Sequence, residues 1–368
     1  MALRKITFSW HLNTLPRKTL TMHTLKLASF LFTLIFTAGL IAVFWRSLEA
    51  RAEEPSAVVL MYHRFGEEQF PSTNITIKQF ESHLNELKSN SYNVIGLPEI
   101  ISSLKNKKKL PDRTIGISID DAYLSIFTKA WPRLKALGFP FTVFVATKPI
   151  DQKNKNYMSW EQLKEISEAG VTIGSQTANH PHLTYLDDSN VERELSLSNA
   201  RFLEKLGSLP QLFAYPYGEA SLKTEKIVKT FGFSAAFGQH SGVISFAENI
   251  FYLPRFTMNE KYGSLSRLKL VANALPLPVT DITPKDHVIG DYNPPLMGFT
   301  VTGKELVYLK HLNCFASHEG QTKVEQIGKR RFEIRVKTPF PKGRTRLNCT
   351  LFGPENRWHW LGRQFFVP

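Results

Sequence analysis

Cysteine is nearly absent from this 368-residue chain: Cys314 and Cys349 are the only two. No zinc-finger spacing exists, and a disulfide-dense scaffold is excluded. An RNA-binding aromatic signature is missing too, so the formal charge of +14 does not argue for a nucleic-acid partner. That charge suits anionic surroundings such as lipid headgroups or an anionic polymer. Acidic residues are absent from the first 26 positions, and Leu27 to Trp45 carries no charge of either sign. Disorder is excluded by a globular balance of 42% hydrophobic and 21% charged residues.

The uncharged run is long enough to span a bilayer. Arg4, Lys5, Arg17, Lys18 and Lys26 precede it and predict that this end stays cytoplasmic. Two readings stand for residues 1–52. One is a signal peptide, cut near Ala50-Arg51-Ala52 and starting at Met1 or Met22. The other is an uncleaved helix, residues 27–45, anchored in the inner membrane. Both place the remainder in the periplasm or outside the cell. In an exported chain the cysteine pair is most simply a disulfide; in a cytosolic one it is two buried thiols.

The chain is organised around Thr114 to Tyr123, TIGISIDDAY. Its β-branched residues favour a buried strand, and the strand ends on two adjacent carboxylates, Asp120 and Asp121. Two such groups need a cation or a shared proton unless they are solvated as a helix cap. Strand and helix alternate on both sides of it. Thr76–Gln79 and Ser159–Gln162 read as capping boxes that open helices. A helix is expected through Tyr123–Leu137, and FYLPRFTM (251–258) as a last strand. About eight parallel strands in residues 53–275 suit a closed or nearly closed (β/α) barrel.

Composition shifts after Leu275. Residues 276–296 are Pro-rich and read as a linker. Residues 297–368 break into short strands with frequent turn signals, which predicts a small all-β, immunoglobulin-like sandwich. Within it, Trp358, Trp360, Phe365 and Phe366 either stack on sugar or fill the sandwich core and its partner face in alternation.

Five motifs fall at successive strand ends: Met61-Tyr62-His63-Arg64-Phe65-Gly66, Asp120-Asp121, Gln176 to His182 (QTANHPH), Tyr215-Pro216-Tyr217-Gly218 and Pro254-Arg255. In this order they resemble the polysaccharide deacetylase family, the NodB-homology fold, over residues 57 to about 275. The resemblance implies a distorted (β/α) barrel that removes N-acetyl groups from an amino-sugar polysaccharide with a divalent metal, usually zinc. It implies Asp121 and His180 as metal ligands and Asp120 as general base. It also implies the Tyr217 N–H as an oxyanion donor, with His63, His182, Pro216 and Tyr217 lining the substrate groove.

The departures are specific. Gln176 stands where the family has the first histidine of its pair, so Gln176 is a weak ligand, His182 substitutes, or the metal is held loosely or not at all. Ala214 replaces an arginine, and Arg255 is the candidate to restrain Asp120 instead. No Leu-x-His near the barrel's end supplies a general acid, which leaves His240 and His63. Two rival functions remain: a degraded barrel that only binds carbohydrate, and an amidase acting on a non-sugar amide.

Overall fold

The computed structural model describes residues 55–303, 306, 308–354 and 356–368. The signal or anchor reading of residues 27–45 therefore lies outside the described residues. Among the described residues no helix is long and apolar enough to cross a membrane.

The first sheet has nine strands: β1 (Ser56–Tyr62), β2 (Asn93–Val94), β3 (Thr114–Asp120), β4 (Thr142–Val145), β5 (Thr172–Ser175), β6 (Leu212–Ala214), β7 (Ala235–Phe237), β8 (Ile244–Ser245) and β9 (Phe256–Thr257). Six of them run in the order β1-β3-β4-β5-β6-β7, all parallel. β2 adds to β3, and β8 lies antiparallel on the first residues of β1. Every residue of β3 is buried, as a strand covered on both faces requires.

The expected strand over 251–258 is only β9 in the structure. Pro254 has no N–H for a ladder, and it splits the segment. Leu253 bridges to Phe237 on one side, while Phe256 and Thr257 pair with Leu60 and Met61 on the other. This broken strand carries the ladder from β7 back to β1. The expected helix over 123–137 also differs: a π-helical turn, Ile126–Ala130, precedes a short α-helix, Trp131–Leu137. Both capping boxes form. Thr76 opens α1 (Ile77–Ser89) and Ser159 opens the helix Trp160–Glu168, each with its reciprocal Gln bond.

The stretch expected as a linker, 276–296, is partly sheet. Leu275–Pro276 pairs with the last strand, and Val279–Thr283 pairs with Met297–Val301. Both are edge strands, where proline is tolerated because its missing donor would face outward. With them the C-terminal part is a five-stranded sheet beside a four-stranded one. Two long strands dominate it, β10 (Gly343–Phe352) and β11 (Trp358–Val367), paired over their whole length. Cys314 and Cys349 are directly opposed across neighbouring strands and joined by a disulfide.

Period two decides what each face of this hairpin does. Leu347, Cys349, Leu351, Leu361 and Phe365 fill the sandwich core. Between them, Arg344, Arg346 and Asn348 lie opposite Phe366, Gln364 and Gly362 and face the barrel. Trp360 meets Phe256 of β9 edge-on at 5.1 Å, and Phe366 packs against Tyr185 at 5.1 Å. At Gly362 a Cβ would lie 1.6 Å from the Ser241 carbonyl oxygen. Only glycine permits that approach.

Candidate active site

The carboxyl ends of the parallel strands share one end of the barrel, and the five motifs gather there. β1 leads to His63, β3 ends on Asp120, β5 leads to Gln176, and β6 leads to the turn at Tyr217. They surround a cavity of about 680 Å³ whose wall includes His63, Asp121, Tyr123, His180, Tyr217 and Gln239.

The backbone is strained where it meets this cavity. Asp121, Ala122, Thr177, His180 and Tyr217 all take positive φ, between 56° and 73°. Non-glycine residues hold that region only where their surroundings impose it. The effect at β3 is to part the two carboxylates. Asp120 is fully buried. Arg255 grips it with two bonds, Nη1 to Oδ1 at 2.6 Å and Nη2 to Oδ2 at 2.9 Å. Arg255 is itself fully buried and donates further to the Gly238 carbonyl and to Ser118 Oγ. Asp121 turns the other way and lines the cavity.

Two side chains converge beside Asp121. Its Oδ1 lies 3.7 Å from His180 Nε2, and that nitrogen lies 3.0 Å from Gln176 Nε2. Burial lowers the His180 pKa against the pull of Asp121, so the ring stays neutral with a lone pair to give. Gln176 is fully buried, and its Oε1 has no partner among the described residues. A half-turn of the amide brings that oxygen to the place now held by Nε2. A carboxylate, a neutral imidazole and an unpaired amide oxygen at these separations fit a divalent cation.

The remaining candidates separate. His63 lines the cavity, with Nε2 3.8 Å from Asp120 Oδ2. His182 does not face Asp121. Its ring stacks on Tyr217 at 3.9 Å, and its Nδ1 lies 2.7 Å from Glu219 Oε2. It backs the tyrosine rather than replacing the missing histidine. Pro216 is buried beneath the turn instead of lining the groove. His240 is also displaced from its expected role. It is buried against Tyr252 at 4.6 Å, and burial holds its pKa well below the ordinary value. A neutral ring sealed from the cavity cannot protonate a leaving group there. Pro254 turns the chain so that Arg255, and not His240, reaches inward.

Sequence reasoning missed the second wall. Arg344 and Arg346 of β10 line the same cavity. Arg344 Nη1 donates to the Tyr217 carbonyl at 3.1 Å, and Gln364 Nε2 donates to the Tyr217 and Gly218 carbonyls at 3.2 and 2.8 Å. The sandwich thus grips the turn that carries Tyr217. The available signal was the alternation along β10, which puts both arginines on the face opposite Leu347 and Cys349.

Comparison with known proteins gives likenesses over the barrel. Residues 107–236 match the family model described as polysaccharide deacetylase. A poly-beta-1,6-N-acetyl-D-glucosamine N-deacetylase of Staphylococcus aureus (strain MSSA476) is 25% identical over 234 residues, covering 56% of this chain and 80% of its own. The solved structure of IcaB from Ammonifex degensii aligns with a TM-score of 0.51 at 26% identity, over 59% of this chain and 97% of that one. The Streptococcus pyogenes deacetylase PplD, solved with acetate, shares the fold with a TM-score of 0.56 at 20% identity. That match covers 60% of this chain and 99% of PplD.

Proposed function

We propose, from the premise that this barrel belongs to the polysaccharide deacetylase family, that the chain hydrolyses N-acetyl groups on an N-acetylglucosamine polymer. One observation carries the reading. Asp121, His180 and Gln176 converge in the cavity floor while Asp120 is clamped behind them.

Those three side chains would hold a divalent cation, zinc by the family resemblance. When bound, it supplies a Lewis acid that acidifies water and polarises the amide carbonyl. The protein's own groups do the rest. Asp120, fixed by Arg255, and His63 beside it form the pair that takes the proton from the attacking water. His63 is the member exposed to the cavity, so it returns a proton to the departing amine. Water and amide thereby become acetate and a free amine. The Tyr217 N–H donates to the oxyanion. Asn179, Gln239 and Asn259 on the wall suit sugar hydroxyls. The Cys314–Cys349 bond supports action outside the reducing cytoplasm.

The test measures metal content and acetate release together, on an N-acetylglucosamine oligosaccharide. Wild type is run beside Asp120→Asn and Gln176→His. About one metal per chain is expected, with release lost in Asp120→Asn. Metal and release confined to Gln176→His would make the native barrel a carbohydrate-binding one. A metal-loaded but inactive wild type would point to an amide outside sugars.

A further inference from the structure

The cavity has two walls of opposite character, and the function above uses only one. We propose that Arg344 and Arg346 form a subsite for an anionic substituent, a carboxylate or a sulfate, on a sugar flanking the one that loses its acetyl group. The substrate class is then an acidic glycan. This rests on the deacetylase reading and sharpens it.

Four observations support the assignment. Both guanidinium groups come from alternate positions of one strand, so the pleat aims them at the same side. Both reach the cavity. Arg346 is not neutralised there, and Arg344 only in part. Arg346 has no carboxylate within 4.0 Å among the described residues, and of its guanidinium only Nε is bonded to protein, to Gln364 Oε1 at 3.1 Å. Arg344 Nε lies 3.7 Å from Glu219 Oε1, while Oε2 of the same carboxylate is shared with His182 at 2.7 Å. Burial, and after it the charge of Arg344, pushes the Arg346 pKa below its ordinary value. Two like charges in a partly desolvated wall repel, and a bound anion relieves that cost. Planar guanidinium forks match oxyanions in shape as well as charge.

Position excludes the reacting group as their target. Among the described residues no hydrogen bond or ion pair joins either arginine to Asp121, His180 or Gln176, and the Tyr217 ring neighbours both groups, 4.6 Å from the His180 ring and 5.8 Å from the Arg344 guanidinium carbon. An anion on the arginines therefore sits beyond the scissile amide, on a neighbouring residue of the polymer. The overall charge of +14 would favour the approach of such a polyanion.

The test compares three oligosaccharides of equal length. One is neutral N-acetylglucosamine throughout, one carries a uronic acid beside each N-acetylglucosamine, and one is sulfated. KM is measured on wild type, and Kd by calorimetry on Asp120→Asn, which binds without turnover. One or both acidic ligands should bind about tenfold tighter than the neutral one, the effect of a charge-assisted pair. Which of them does so identifies the anion. The preference should shrink between about 50 and about 300 mM salt. It should collapse toward unity in Arg346→Gln and in Arg344→Gln, each checked by thermal melting for retention of fold. Equal binding of acidic and neutral ligands overturns the subsite. So does free acetate that binds in an arginine-dependent way, since the pair would then hold the product. If no substrate is turned over, the deacetylase reading fails, and the Kd arm still decides the subsite.

Discussion

The barrel and the sandwich build the cavity by different means. The barrel brings its groups from separate strands, 135 residues apart in the case of Asp120 and Arg255. It holds them by burial, strained turns and a guanidinium clamp. The sandwich brings its groups from one hairpin, where the pleat alone aligns Arg344, Arg346 and Gln364. The barrel wall places carboxylates and histidines at the proposed reacting centre. The sandwich wall places amide and guanidinium donors on the turn and on open space. Chemistry that needs convergence from many directions calls for the barrel, whereas a flat recognition surface is available from any two-stranded ribbon.

The sharpest way to break this division is Asp120→Asn. Acetate release should fall by about a thousandfold or more, the scale of losing a general base with its partner, while calorimetric binding of oligosaccharide persists. Residual activity within tenfold of wild type would move the base elsewhere. Next is the sandwich alone. Cys314 and Cys349 are 35 positions apart in sequence and close a loop worth about 4 kcal/mol. Cys314→Ser with Cys349→Ser should lower the denaturation midpoint accordingly; an unchanged midpoint would show that packing alone holds the sandwich.

Gly362→Ala attacks the junction. Its Cβ cannot coexist with the Ser241 carbonyl, so the two parts must separate locally, at a cost of about 1–3 kcal/mol. Both the melting temperature and acetate release should drop together. A drop in stability with full activity would mean that the Tyr217 turn does not need the sandwich. Gln364→Ala tests that dependence more gently. It frees the Tyr217 and Gly218 carbonyls and should lower kcat about tenfold while KM changes little. A rise in KM alone would make Gln364 a groove residue and not a positioning one.

The smallest effect belongs to the barrel. His83 is fully buried between Tyr62 Oη and the Gly263 carbonyl, and burial lowers its pKa from 6.5. The folded chain keeps it neutral while the unfolded chain takes up a proton below that value. Stability is therefore present above pH 6.5 and is lost as pH falls, by up to about 1.4 kcal/mol per unit from this group. Melting curves from pH 7.5 to 5 should show a shallower decline in His83→Gln; parallel declines would assign the acid sensitivity to other groups.

Much of this was legible in advance, and for a physical reason. Capping boxes at Thr76 and Ser159 are local devices, complete within four residues. The β3 run ends on its carboxylates within one strand. Motif order along the chain likewise survives without coordinates. His240 and Pro216 fall away from the cavity because one-dimensional proximity to a strand end does not say which way a side chain turns. The linker reading of 276–296 counted prolines that edge strands accept.

The sequence by itself determined the alternation of strand and helix, the sandwich of short strands, and which residue types reach the carboxyl ends, since these follow from periodicity and local capping. Tertiary structure decided how three contacts are made. Arg255 meets Asp120 because the broken strand after β7 returns to β1. Gln176 faces His180 because positive φ at Thr177 and His180 folds their loop back on itself. Arg344 and Arg346 enter the cavity because Gly362 lets the sandwich approach the barrel. Each depends on contacts between segments far apart in sequence, and no local preference encodes those.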